Sequence, residues 1–96
     1  MAKLSLTVPH ALGRDEAAAR LKQEIERHRA MANGLREEWH DGTLSFGFEF
    51  MGMKAAGTVA VEDSQVVIES DLPLAAVMFK PQIEARLRLE LARVLG

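Results

Sequence analysis

The sequence predicts an α+β domain: a two-layer sandwich in the order β-α-β-β-β-β-α, with a mainly antiparallel sheet covered by two helices. Three observations carry that expectation. Leu44, Phe46, Phe48 and Phe50 alternate with Ser45, Gly47 and Glu49, which is the two-residue period of a strand with one apolar face. Asp41-Gly42 stands between two alternating runs, and that dipeptide closes tight hairpins. Ala17, Ala18, Leu21, Ile25, His28 and Ala32 recur at three- and four-residue spacing, the stripe of an amphipathic helix.

The first strand is expected over Lys3 to Val8, where Leu4, Leu6 and Val8 alternate with Ser5 and Thr7. Pro9 lacks the amide that would extend the ladder. The first helix is expected from Asp15 to Ala32. Asp15 and Glu16 suit its positive end, Glu16–Arg20 and Lys22–Glu26 are spaced to pair, and Asn33-Gly34 is a stop. Strands follow at Leu35 to His40, Thr43 to Phe50, Ala55 to Glu62 and Gln65 to Leu72, with Met51-Gly52-Met53 and Asp63-Ser64 as connections. Short connections make these four strands an antiparallel meander.

Pro73 suits the first position of a C-terminal helical segment, and Pro81 biases Lys80 away from helical backbone, so a break is expected there. Beyond it, Ile83, Leu87, Leu91 and Val94 form a core stripe, while Ala85, Leu89 and Ala92 make a second apolar strip on the far side.

Composition bounds function. Ninety-six residues, 48% of them hydrophobic, are expected to form one domain over residues 1–96. The formal net charge is −2, and Arg86, Arg88 and Arg93 are interrupted by Glu84 and Glu90. Nucleic-acid binding draws most of its affinity from phosphate contacts with a basic patch, so that function is not expected. The absence of cysteine removes disulfides, thiolate metal sites and thiol catalysis. The apolar stretch from Leu72 to Phe79 is closed by Asp71 and Lys80, short of the roughly 20 residues of a membrane span. With no signal-peptide pattern at the start, a cytoplasmic protein without a transmembrane segment is expected.

The chain resembles the polyhydroxyalkanoic acid system family, also called the polyhydroxyalkanoate granule-region family. The similar residues are Val8-Pro9-His10-Ala11-Leu12 before a helix that starts with acidic and alanine residues, then Trp39-His40-Asp41-Gly42-Thr43-Leu44-Ser45-Phe46. A glycine-containing strand around Gly57 and the ending Leu72-Pro73-Leu74, Phe79-Lys80, Ile83-Glu84 and Leu87 complete the likeness. The resemblance implies a bacterial protein linked to polyester storage granules and carries no established activity. Members of that family often have a Gly-Lys segment where this chain has Lys80-Pro81-Gln82, so the geometry of the last helix is where the two would differ.

Candidate chemistry is sparse. His10, His28 and His40 are 18 and 12 residues apart with no ligand at helical spacing, whereas zinc wants three or four convergent ligands, so no metal site and no cofactor are expected. His10 is expected to organise the turn after the first strand, and His28 to sit at the rim of the core. Glu37 and Trp39 share a strand face with Glu49 on the facing strand, a setting in which desolvation raises a carboxyl pKa. No serine elbow or nucleophile–base pair accompanies them, so an enzyme is not expected. The Phe row is expected to be core, with a lipid-like pocket as the other use of such side chains.

Met51, Met53, Val77, Met78 and Phe79 are the candidate binding residues. They stand at a connection and beside a helix break, where adaptable methionine side chains can form an apolar contact patch. The leading expectation is an accessory protein that associates with a polyester granule surface, granule proteins or acyl material. The alternatives are a carrier of a small hydrophobic acid in a pocket and a homodimeric interaction module using Leu89. Trp39 is expected to be mostly buried between sheet and helix.

Overall fold

The computed structural model describes residues 2–28, 36–50, 53–72 and 74–96. Asn33-Gly34, Met51-Gly52 and Pro73 lie outside the described residues, as do Ala32, Leu35 and the side chains of His28, Phe48, Glu49, Phe50 and Met53. The elements are β1 (Ala2–Pro9), α1 (Arg14–His28), β2 (Arg36–His40), β3 (Thr43–Phe50), β4 (Met53–Val61), β5 (Gln65–Leu72), a 3-10 helix (Leu74–Phe79) and α2 (Lys80–Leu95). The expected order and α+β class hold.

All strand pairs are antiparallel, and the sheet runs β1-β5-β4-β3-β2. The meander occupies four consecutive places. Where β1 would join was open from the sequence. It adds to β5, with Ala2 opposite Leu72 and Pro9 opposite Gln65, so β1 and β2 form the two edges. The connection between them, which includes α1, must cross the width of the sheet, and that crossing leaves the helix lying on its apolar face.

Asp41 (φ 49°) and Gly42 (φ 78°) both adopt positive φ between the paired residues His40 and Thr43. A two-residue hairpin with that backbone matches the right-handed twist of its strands. Several boundaries differ from the sequence reading: β1 includes Ala2 and also Pro9, which was expected to end it, and α1 begins at Arg14. Met53 is a strand residue paired with Phe50 and not part of the connection, because the β3–β4 ladder continues nearly to the turn. Glu62 is outside β4, where its amide bonds the Gln65 carbonyl at 2.9 Å and turns the chain. The C-terminal segment does break, but one residue earlier than expected. The 3-10 helix ends at Phe79, and Lys80 already begins α2, with Pro81 in its first turn. A proline in that turn removes an amide that has no helical partner anyway.

The core lies between the β1–β5–β4 side of the sheet and the helices. Leu4, Leu6 and Val8 of β1, Val66, Ile68 and Leu72 of β5 and Val61 of β4 meet Ala17 and Leu21 of α1 and Leu91 and Leu95 of α2. Leu4, Leu6 and Val66 are at most 2% exposed, and each such burial stabilises by roughly 1.5–3 kcal/mol. Leu95, four residues on from Leu91, belongs to this core, while Val94, the expected end of the stripe, is only partly buried against it. α2 packs on β1 and α1, and α1 packs on β4. β2 is an edge strand, and its Trp39 packs against this core only half-buried.

Candidate functional site

A cleft of about 240 Å³ opens between the β2–β3 hairpin and the two helices. Its floor is Trp39 of β2, Leu44 and Phe46 of β3, Val59 of β4 and Ile68 of β5, and its roof is Leu21 and Ile25 of α1 with Leu87, Leu91 and Val94 of α2. In the antiparallel register Trp39 faces Leu44 and Glu37 faces Phe46. The strict alternation of both strands therefore delivers all four to the cleft side.

Phe46 lies across Gly57, its partner in β4. A Cβ at Gly57 would come within 2.7 Å of Phe46 Cζ and 2.8 Å of Ser70 Cα, so only glycine leaves the ring room to lie there. Trp39, expected to be mostly buried, is only partly so. The Lys22 ammonium of α1 stands 4.9 Å from the indole centroid, within cation–π range.

Three carboxylates complete the lining: Glu24 of α1, Glu37 of β2 and Glu90 of α2. Glu24 and Glu90 are joined across the helices by Arg93, whose guanidinium donates to both at 2.7 and 2.9 Å. Arg27 adds a bond to Glu24 at 3.2 Å, and Arg86 stands 3.5 Å from Glu90. The Arg93 hydrogen bond holds the Glu90 carboxyl below its ordinary value, ahead of opposing desolvation. Near the same end, Arg20 of α1 donates to the Val94 and Gly96 carbonyls at 3.3 and 3.1 Å. These bonds satisfy acceptors that a helix end leaves open, and they tie α2 to α1.

The lining contains no hydroxyl, imidazole, thiol or amine side chain. Glu37 and Glu49, the carboxylates the sequence set near Trp39, do not share a face: Glu37 is in register with Phe46, and Glu49 stands three residues beyond Phe46 on β3, in register with Lys54. His10 does organise its turn. Its Nε2 lies 2.9 Å from the Glu62 carbonyl oxygen, its Nδ1 accepts from the Leu12 amide at 3.2 Å, and its own amide bonds Ser64. His40 is exposed beside Asp41. Among the described residues no three His, Asp or Glu side chains converge as a metal site would need, and no helix is long and apolar enough to cross a membrane.

Of the binding residues expected from sequence, Met51 lies outside the described residues and Met53 is placed only as a strand position. Val77 is half-buried, while Met78 and Phe79 are 79% and 45% exposed at the step into α2. Val77, Met78 and Phe79 do not line the cleft. The cleft residues were visible only as stripes. Glu24 sits between Leu21 and Ile25, and Glu90 between Leu87 and Leu91, so each carboxylate interrupts an apolar helix face. A charge inside a stripe on both helices is the feature that could have located the site.

The model of one family, described as polyhydroxyalkanoic acid system protein, matches residues 4–95. Comparison with curated proteins and with solved structures gives no match.

Proposed function

Since the chain belongs to the polyhydroxyalkanoic acid system family, we propose that it is a non-enzymatic binding protein that takes acyl material of the storage polyester in the cleft beside β2 and β3. The observation that carries this reading is the carbon-lined cleft itself, with one open side. Closed small-molecule sites usually have roughly 300–1,000 Å³. A cleft of about 240 Å³ with an open side suits a short stretch of chain better than an engulfed ligand. At roughly 30 Å³ per water-sized group it has room for about eight such groups. This reading replaces the carrier of a small acid, and it puts the protein in the bacterial cytoplasm at the granule. The exposed Met78 and Phe79 would rest against the granule surface.

Trp39 is the single tryptophan, so its fluorescence reports the cleft without labelling. Titration with short oligomers of 3-hydroxybutyrate, both ends capped, should give a saturable blue shift that Phe46→Ala abolishes. An emission spectrum that stays constant to the solubility limit would sink the proposal.

A second reading is favoured by Leu89, which is 67% exposed with exposed Ala85 and Ala92 beside it. Small flanking residues let a second helix approach, and a two-fold contact would pair the same strip with itself. In this reading the protein is a homodimer that presents two clefts to the polymer.

A further inference from the structure

We propose that the cleft takes the alkyl side chains of the polyester, one chain of up to about eight carbons at a time, while the ester backbone stays in water at the open side. The inference rests on the binding role given above and names which part of the polymer is held. Its first support is the floor. Trp39, Leu44, Val59 and Ile68 are direct register partners on β2, β3, β4 and β5, and all four line the cleft. They form one carbon row across adjacent strands. Three inter-strand steps of about 4.8 Å make that row about 14 Å long. Leu21 and Ile25 of α1 and Leu87 and Leu91 of α2 stand over it. A long, narrow track of this kind suits an extended hydrocarbon chain.

The second support is the chemistry of the walls. No nitrogen or oxygen atom faces the space. Glu24, Glu37 and Glu90 line it with carbon, and Arg93 draws the carboxylates of Glu24 and Glu90 into the contact between the helices at 2.7 and 2.9 Å. A polyester of hydroxy acids carries a carbonyl in every repeat, so a stretch of backbone long enough to fill the row brings several. Each carbonyl would leave water for a surface with no donor, which weakens binding about tenfold apiece. A saturated side chain has no such group to strip of water. Every methylene it buries strengthens binding about fourfold. The gain ends when the cleft of about 240 Å³ is full, at about eight carbon-sized groups.

The test follows Trp39 fluorescence with end-capped hydroxyacid dimers whose side chains lengthen stepwise from methyl to undecyl, each kept below the concentration at which it aggregates. Affinity should rise about fourfold per added methylene and level off near about eight carbons. Methyl-substituted oligomers of increasing unit number supply the backbone arm, and phosphatidylcholine vesicles offer the same alkyl chemistry from a lipid. Val59→Phe, checked for folding by circular dichroism, puts a ring in the middle of the row and should end the rise at a shorter chain. The wild-type series decides the matter even where that variant fails to fold. Affinity that climbs with the number of ester units and ignores side-chain length overturns the inference while leaving a polyester-binding cleft. A rise that continues to undecyl without levelling marks unselective apolar contact and overturns it too, as does a folded Val59→Phe with an unmoved plateau. Tighter binding to vesicles than to the heptyl dimer assigns the cleft to lipid acyl chains and overturns the polyester assignment. Should every probe leave the emission unchanged, the binding role itself fails, and the inference with it.

Discussion

Gly57→Ala is the most informative single substitution in the sheet. Gly57 stands opposite Phe46 in β3 and Ser70 in β5. A methyl there would meet the ring at 2.7 Å, the Ser70 Cα at 2.8 Å, and the Glu69 carbonyl oxygen closer still. Two of those obstacles are backbone atoms of a hydrogen-bonded strand, which cannot swing away as a side chain does. Overpacking by one carbon commonly costs about 1–3 kcal/mol, and backbone obstruction puts this site at the upper end. Stiffening of the unfolded chain offsets about 0.4–1 kcal/mol. The expected net loss is about 2 kcal/mol, and a domain of this size loses roughly 4–8 °C of Tm per kcal/mol. Thermal unfolding followed by circular dichroism should therefore move down by about 8–16 °C. Adding Phe46→Leu removes only the ring contact, so it should recover part of the loss. A single variant melting within about 2 °C of wild type, far inside that range, would refute the close approach. Complete rescue by Phe46→Leu would show that the strand backbone yields easily.

Further expectations follow from the cleft and the helices. Trp39→Ala should cost about 1–2 kcal/mol by urea unfolding, below the roughly 3–5 of a fully buried aromatic, because the indole is only partly buried; a loss in the full range would mean the cleft closes in solution. The Glu90 carboxyl, followed by carbon-13 NMR, should titrate below 4.5 in the wild type and return toward that value in Arg93→Ala. Because the folded value is the depressed one, the stability it lends is present above the unfolded value and fades as pH falls through the folded one. An unchanged titration in the variant would break that assignment. If the outer strip of α2 pairs two copies, sedimentation at tens of micromolar should give a dimer that Leu89→Glu dissociates; a monomeric wild type removes the second reading.

Much of the architecture was legible because its causes are local. The two-residue alternation of β3, the Asp41-Gly42 turn with both residues at positive φ, and the helix stripes through Leu21 and Leu91 each follow from backbone geometry a few residues long. His10 as a turn organiser was legible for the same reason, since it stands right after the strand it ends and bonds Leu12 two residues on. The cleft was less so. Met78 and Phe79 proved exposed, as a patch requires, but the cleft formed from other residues.

Residue types and spacing decided that there would be a sheet with one apolar face, two amphipathic helices and a break before α2. Tertiary structure alone decided that β1 joins β5 and that the helices settle over β1, β5 and β4. Periodicity states which face of an element is apolar, but not how much of that face a partner will cover. Coverage depends on where the long β1–β2 connection crosses the sheet and on ties such as Arg93 to Glu24, 69 residues apart. Trp39 and Phe46 read as core in the sequence and became part of the floor of a cleft, because how closely two apolar faces meet is set by tertiary packing and not by periodicity.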